Sequence, residues 1–150
     1  MEQHERVTQT QIWKVLDASV LLKWAFQDEE DSDKALSLRE RHLDGEIIVI
    51  VPSHAVYEFT HVLRHSQRNL SRERIEREID DIFNVNLVTI ELDPYLAKLG
   101  VAISFQTGIA VYDANYVALA EALGCQLVTA DYEALDKLKH LNFVVALRDT

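Results

Sequence analysis

One cysteine, two prolines and four glycines among 150 residues leave this chain short of anything that staples, kinks or loosens a backbone. The lone Cys125 rules out an internal disulfide and fits a reducing cytoplasm, where we place the protein. Beside Leu123, Leu127 and Val128 it reads as a small core residue rather than a nucleophile. No stretch is rich in Pro, Gly or Ser, none is low in complexity and none repeats, so no linker divides the chain. The longest apolar runs, such as Ile47 to Pro52, fall far short of the ~20 residues of a membrane span. The first residues, Met1 to Gln11, are polar without an apolar centre and make no signal peptide. They are expected to form a flexible extension, residues 1–11, ahead of one domain over residues 12–150.

Basic residues are scarce too. Lys and Arg number 15 against 25 Asp and Glu, a net charge of −10. Affinity for nucleic acid comes largely from neutralising phosphates, so this balance argues against a simple DNA- or RNA-binding module. It is compatible with an enzyme whose clustered carboxylates hold divalent cations, because a bound metal inverts the local charge.

What the chain does have is alternation. Trp13 to Leu16, Ile47 to Val51, Leu87 to Leu92, Gln126 to Thr129 and Phe143 to Leu147 read as strands. Between them, helical spacing is expected over Ser32 to Leu43, with Ala35, Leu36 and Leu43 inward, and from an N-cap at Ser53 to about Arg68. Further helices follow from Ser71 onward, behind Asp93-Pro94, over Tyr112 to Leu123 with a stop at Gly124, and over Tyr132 to Lys139. Strands alternating with helices imply an α/β domain, three layers α/β/α around a parallel sheet of about five strands. Ligands of such sheets bind beyond the carboxyl ends of the strands, where strand order reverses.

Most acidic residues lie in charged stretches such as Asp28 to Asp33 and read as solvated faces. Four do not. Asp17 and Asp131 each follow an apolar strand, Asp17 where the first strand meets its loop. Glu58 sits in the stripe Ala55, Glu58, Val62 beside Val56, Phe59 and Leu63. Asp113 heads a helix in register with Ala110, Tyr116, Val117 and Ala120. Taken singly, a strand-end Asp is also a cap or turn residue, Glu58 an edge carboxylate, and Asp113 an N-terminal acid favoured by the helix dipole. Taken together, four carboxylates on one crevice would raise one another's pKa, and a hard divalent cation would resolve the repulsion.

Four segments carry a resemblance: Asp17-Ala-Ser19-Val-Leu-Leu-Lys23-Trp24, Val51-Pro-Ser-His-Ala-Val-Tyr-Glu58, Tyr112-Asp113-Ala-Asn115-Tyr116-Val-Ala-Leu-Ala120 and Leu127-Val-Thr129-Ala-Asp131. In order and spacing they resemble the motifs of the PIN-domain family, in particular its VapC-like toxin ribonucleases, over about Val15 to Leu147. The resemblance implies a PIN-like fold and metal-assisted hydrolysis of RNA, leaving a 5′-phosphate and a 3′-hydroxyl. It makes Asp17, Glu58, Asp113 and Asp131 the catalytic, metal-binding quartet for one or two Mg²⁺ or Mn²⁺ ions, with Ser19, Thr129 and, in reserve, Asn115 as supporting polar groups. It further implies a VapB-like antitoxin partner and a homodimer or higher oligomer, with the helices around Val62 to Ile82 as interface.

RNA contacts are expected from Lys23, Arg64 and Arg68, within a basic stretch that runs from His61 to Arg77. Interspersed Glu73, Glu76 and Glu78 equally fit ordinary helix ion pairs. Trp24 and Phe26 read as core rather than base-stacking residues, and the His61/His65 pair lacks a third ligand for zinc. A non-catalytic PIN-fold binding module and a free-standing RNA-processing nuclease stay open. A dehalogenase-type phosphotransferase wants an Asp where Ser19 stands. A receiver wants a late sheet lysine, but Lys137 and Lys139 fall on a helix.

Overall fold

The structure is a computed structural model that describes residues 12–150; the expected N-terminal extension lies outside the described residues. Five strands, β1 (Ile12–Leu16), β2 (Ile47–Pro52), β3 (Val88–Ile90), β4 (Gln126–Thr129) and β5 (Val144–Ala146), form one sheet in the order β3-β2-β1-β4-β5. Every neighbouring pair is parallel, with Val15 beside both Ile50 and Leu127. The central strands are continuous apolar runs because helices cover both faces. Val15, Leu16, Val49, Val51 and Val128 are fully buried.

The helices are α1 (Ala18–Ala25), α2 (Ser32–Leu43), α3 (Ala55–His65), α4 (Arg72–Asn84), α5 (Pro94–Thr107), α6 (Val111–Leu123) and α7 (Tyr132–Lys137). α6 lies across β1, β2 and β4 and carries α5 on its outer side; α1 packs against both α2 and α3, with α2 on β2 and α1 on β4. The core is shared by all layers, with Tyr116, Phe59, Leu16, Leu21 and Leu38 among its largest fully buried members. Trp24 and Phe26 belong to it, and the Trp24 indole N–H donates to the Ala35 carbonyl at 2.8 Å. None of the described helices is long and apolar enough to cross a membrane.

Several boundaries differ from expectation. Asp17 does not lead into a loop: α1 starts at once, with Asp17 as its N-cap. Its eight residues, six of them apolar, are too few for periodicity to separate helix from strand. The expected helix from Ser53 to about Arg68 is shorter, because His54 takes the cap position and Ser66 turns extended after His65. In α2 the inward leucine is Leu38, while Leu43 is 51% exposed beyond the helix's buried stripe. The edge strands β3 and β5 pair on one side only and are shorter than their apolar runs, and α7 ends at Lys137.

The α5–α6 contact depends on a missing side chain. A Cβ placed on buried Gly100 would stand 2.2 Å from Asn115 Oδ1, and that buried oxygen has no hydrogen-bond partner. We predict that Gly100→Ala costs about 1–3 kcal/mol by overpacking, outweighing the helix propensity gained. Adding Asn115→Ala should recover most of that loss, because it removes both the clash and the orphaned oxygen. Urea denaturation of the two single variants and the double variant checks this; equal losses in Gly100→Ala and the double variant would contradict it.

Candidate metal centre

Strand order reverses between β1 and β4, and Asp17 and Asp131 stand at the carboxyl ends of those two strands. The Asp17 backbone N–H donates to the Val128 carbonyl at 3.3 Å, closing the seam. As the cap of α1, Asp17 Oδ1 accepts the Ser19 backbone N–H at 3.1 Å and, more closely, the Ser19 hydroxyl. Ser19 Oγ accepts the Ala130 N–H at 2.9 Å and lies 3.5 Å from Thr129 Oγ1, which accepts the Asp131 N–H at 3.0 Å. Two small hydroxyl side chains thus tie the two strand ends together beside the Asp17 carboxylate. Asp131 caps α7 by accepting the Ala134 N–H at 3.0 Å.

The other two carboxylates arrive on helices. Asp113 stands in the first turn of α6. Glu58, half-buried in the first turn of α3, shares one oxygen between two donors: His54 Nε2 at 3.0 Å and the Tyr116 hydroxyl at 3.2 Å. His54 Nε2 also lies 3.3 Å from the Tyr112 carbonyl oxygen, so this nitrogen faces two acceptors and carries the proton. The His54 ring packs edge-on against Tyr116, centroids 5.0 Å apart.

Electrostatics bind the four acids into one cluster. Burial pushes the Asp17 carboxyl up to about 6 despite hydrogen bonds from Ser19 and Thr129, and Asp113 adds to the rise. Asp113 is itself raised, first by burial and then by Glu58 and Asp131, with His54 partly offsetting them. Burial, Glu58 and Asp17 hold the Tyr116 phenol protonated, as a donor. Among the described residues no lysine or arginine pairs with any of the four acids.

An all-oxygen donor set short of positive charge suits a hard divalent cation of the Mg²⁺ or Mn²⁺ kind. In this conformation Glu58 faces His54 and Tyr116, and Asp131 faces its helix. Among the described residues no three His, Cys, Asp or Glu side chains are gathered tightly enough to hold an ion. The donor chemistry fits the metal, and taking it up requires these side chains to turn inward.

The remaining residues singled out in the sequence divide. Ser19 and Thr129 belong to the cluster. Asn115 faces the other way, its oxygen against Gly100, so it does not join the acids here. Lys23 pairs with Glu29 at 3.4 Å. Arg68 pairs with Asp28 and Glu29 and lies over the Phe26 ring at 4.3 Å. Arg64 is exposed and, among the described residues, has no acidic partner. His54 and Tyr116 are functional neighbours that the sequence reading passed over. Tyr116 stood in an apolar stripe where only its hydroxyl marked it, and His54 lay four residues before Glu58, one helical turn away.

Residues 14–141 match the family model described as PIN domain. Ribonuclease VapC3 of Pyrobaculum aerophilum is 30% identical over 132 residues, covering 85% of this chain and 95% of that protein. A crystal structure from Pyrobaculum aerophilum is similar with a TM-score of 0.65 at 23% identity, covering 92% of this chain and 91% of that one. A toxin–antitoxin complex from Klebsiella pneumoniae gives 0.64 at 15% identity, covering 89% and 97%. VapBC2 from Rickettsia felis, bound to a DNA fragment from its promoter, gives 0.63 at 16%, covering 90% and 97%.

Proposed function

The chain belongs to the PIN-domain family, and on that premise we propose that it is a metal-dependent endoribonuclease, the toxin of a VapBC-type pair. One observation carries the reading. Four carboxylates from four separate elements border the switch-point crevice, and among the described residues no lysine or arginine pairs with any of them. Left alone, the arrangement destabilises the protein, and a cation relieves it.

In this reading Asp17, Glu58, Asp113 and Asp131 hold one or two Mg²⁺ or Mn²⁺ ions. The metal, when bound, acidifies water and stabilises charge developing on the phosphodiester. The chain's own groups do the positioning. Ser19 holds the Asp17 carboxylate toward the crevice, and Thr129 steadies Asp131 through its backbone N–H. His54 and the Tyr116 hydroxyl orient Glu58 through a single oxygen and leave its other oxygen available. Because such supporting groups typically contribute 10–100-fold to metal affinity, Tyr116→Phe is expected to weaken Mn²⁺ binding about tenfold. Calorimetric titration reads this directly, and unchanged affinity would remove Tyr116 from the site.

The partner in this reading is a VapB-like antitoxin whose basic segment is drawn to the acidic crevice. Self-association fits the apolar residues that α5 exposes, Tyr95, Val101 and Phe105, better than the helices around Val62 to Ile82. The latter are laced with Arg72–Glu76 and Arg74–Glu78 pairs.

The test is cleavage of labelled structured and unstructured RNAs by antitoxin-free protein in Mg²⁺, Mn²⁺ or EDTA, alongside Asp17→Asn and Asp113→Asn. The proposal expects metal-dependent cutting by the wild type alone. Cutting retained by both variants would overturn the assigned site, and no cutting of any RNA would favour a binding module.

A further inference from the structure

We propose that the open groove between α3 and α4 is a track for single-stranded RNA leading away from the carboxylate cluster. The groove is lined by Tyr57, His61, Arg64, His65 and the Arg72–Glu76 pair over an apolar floor of Leu70 and Ile75. The inference rests on the ribonuclease reading and assigns that enzyme its substrate contacts.

Position is the first argument. Glu58, His61 and His65 follow at intervals of three and four on α3, so they share one stripe of the helix. At a rise of about 1.5 Å per residue, His61 lies ~4.5 Å and His65 ~10.5 Å along the axis from Glu58. A strand whose scissile phosphate sits at the acids therefore meets these two side chains next.

Charge is the second. The protein carries a net charge of −10, and most cations near the site are already neutralised. Lys23 is held by Glu29, Arg68 by Asp28 and Glu29, Arg72 by Glu76 and Arg74 by Glu78. Arg64 is not, and it is exposed on the groove wall. His61 and His65 are exposed too; their rings lie 4.6 Å apart, and neither makes a hydrogen bond among the described residues. This is where unspent donors gather on the helix of Glu58, and phosphate oxygens are the acceptors they suit.

The third is Tyr57, one residue before Glu58 and 78% exposed on the same groove. A solvated helical face gains nothing from a bare aromatic ring there. A base does, since stacking on an aromatic platform is tolerant of sequence and adds to phosphate contacts. Cations, imidazoles and an exposed ring beside a carboxylate cluster match a flexible nucleic-acid strand. A basic antitoxin segment matches the acidic crevice instead.

The experiment measures anisotropy of a fluorescent single-stranded RNA on full-length protein carrying Asp113→Asn to prevent cleavage. Arg64→Ala, Tyr57→Ala and the pair His61→Ala/His65→Ala are introduced singly into that background, with Lys137→Ala on α7 as a control. The track predicts at least a fivefold loss of affinity for Tyr57→Ala. For Arg64→Ala it predicts a shallower salt dependence, the slope falling by about 0.7 for one lost single-strand phosphate contact. Lys137→Ala should bind as the background does. His61→Gln/His65→Gln, which keeps hydrogen-bonding side chains, should recover part of the histidine loss and excludes misfolding as its cause. Equal affinity and equal salt slope across all groove variants, with wild-type cleavage intact, would overturn the track alone. Wild-type protein that neither binds nor cuts RNA would overturn the ribonuclease reading on which it rests.

Discussion

Asp17→Asn should abolish RNA cleavage, by about 10³-fold, and at the same time make the metal-free protein more stable. The loss follows from removing a ligand: metal ions contribute several kcal/mol of transition-state stabilisation, and about 1.4 kcal/mol is a factor of ten in rate. The gain follows from burial. Asp17 titrates near 6 in the fold against 3.8 in the ordinary state, so the folded protein holds this proton more tightly than the unfolded chain does. That contribution is fully present below pH 3.8 and is lost as pH rises through 6. At pH 7.5 the ionised carboxylate therefore costs roughly 3 kcal/mol. Asparagine escapes that cost, and its amide oxygen still caps α1. Thermal melting in EDTA at pH 7.5 should place the variant above wild type, and the difference should vanish near pH 4. Added Mn²⁺ should raise the wild-type melting temperature and leave the variant's unchanged. A variant less stable than wild type at pH 7.5 would contradict the assigned burial cost.

The second large effect concerns what holds Glu58 in place. α3 anchors itself through Ala55, Phe59 and Leu63, which are all buried, and Phe59 is only 1% exposed. Phe59→Ala removes a large buried ring and leaves a cavity, for an expected cost of about 3–5 kcal/mol. For a domain of ordinary stability, ~5–15 kcal/mol, this is at least about a fifth of the total. Tyr57→Ala, two residues away but exposed, should change stability by less than about 0.5 kcal/mol. Urea denaturation of the two variants separates anchor from surface. A small effect of Phe59→Ala would mean that α3 is held by something other than its apolar face.

Much of this architecture was legible in the residues. Asp17 and Asp131 could be placed because an apolar strand ends abruptly at each, and that end is where a parallel sheet exposes its crevice. Ser71 and Asp93 were readable as caps and do accept the N–H groups of Arg74 and Leu96. Gly124 was readable as a helix stop and adopts the left-handed conformation such a stop uses, with φ +67°.

What escaped depends on contacts between distant segments. The strand order, which brings Asp17 and Asp131 to one seam, is decided by packing rather than by local pattern. Helix α1 was hidden because a mostly apolar stretch of eight residues is too short to show a period. The face of α6 that Asn115 presents is set by the close approach of Gly100, fifteen positions away by residue number. The Glu58 contacts with His54 and Tyr116 join two helices, so neither segment alone announces them. The basic stretch on α3 and α4 had two readings, and only the ion pairs show which cations are already engaged.

The claim at the centre of this account is that Asp17, Glu58, Asp113 and Asp131 act as one divalent-metal centre. Calorimetric titration of Mn²⁺ into wild type and into the Asp17→Asn/Asp113→Asn double variant tests it most directly. The account predicts saturable binding by the wild type, one or two ions per chain, and none by the folded double variant. Binding of equal affinity and stoichiometry in both proteins would contradict it.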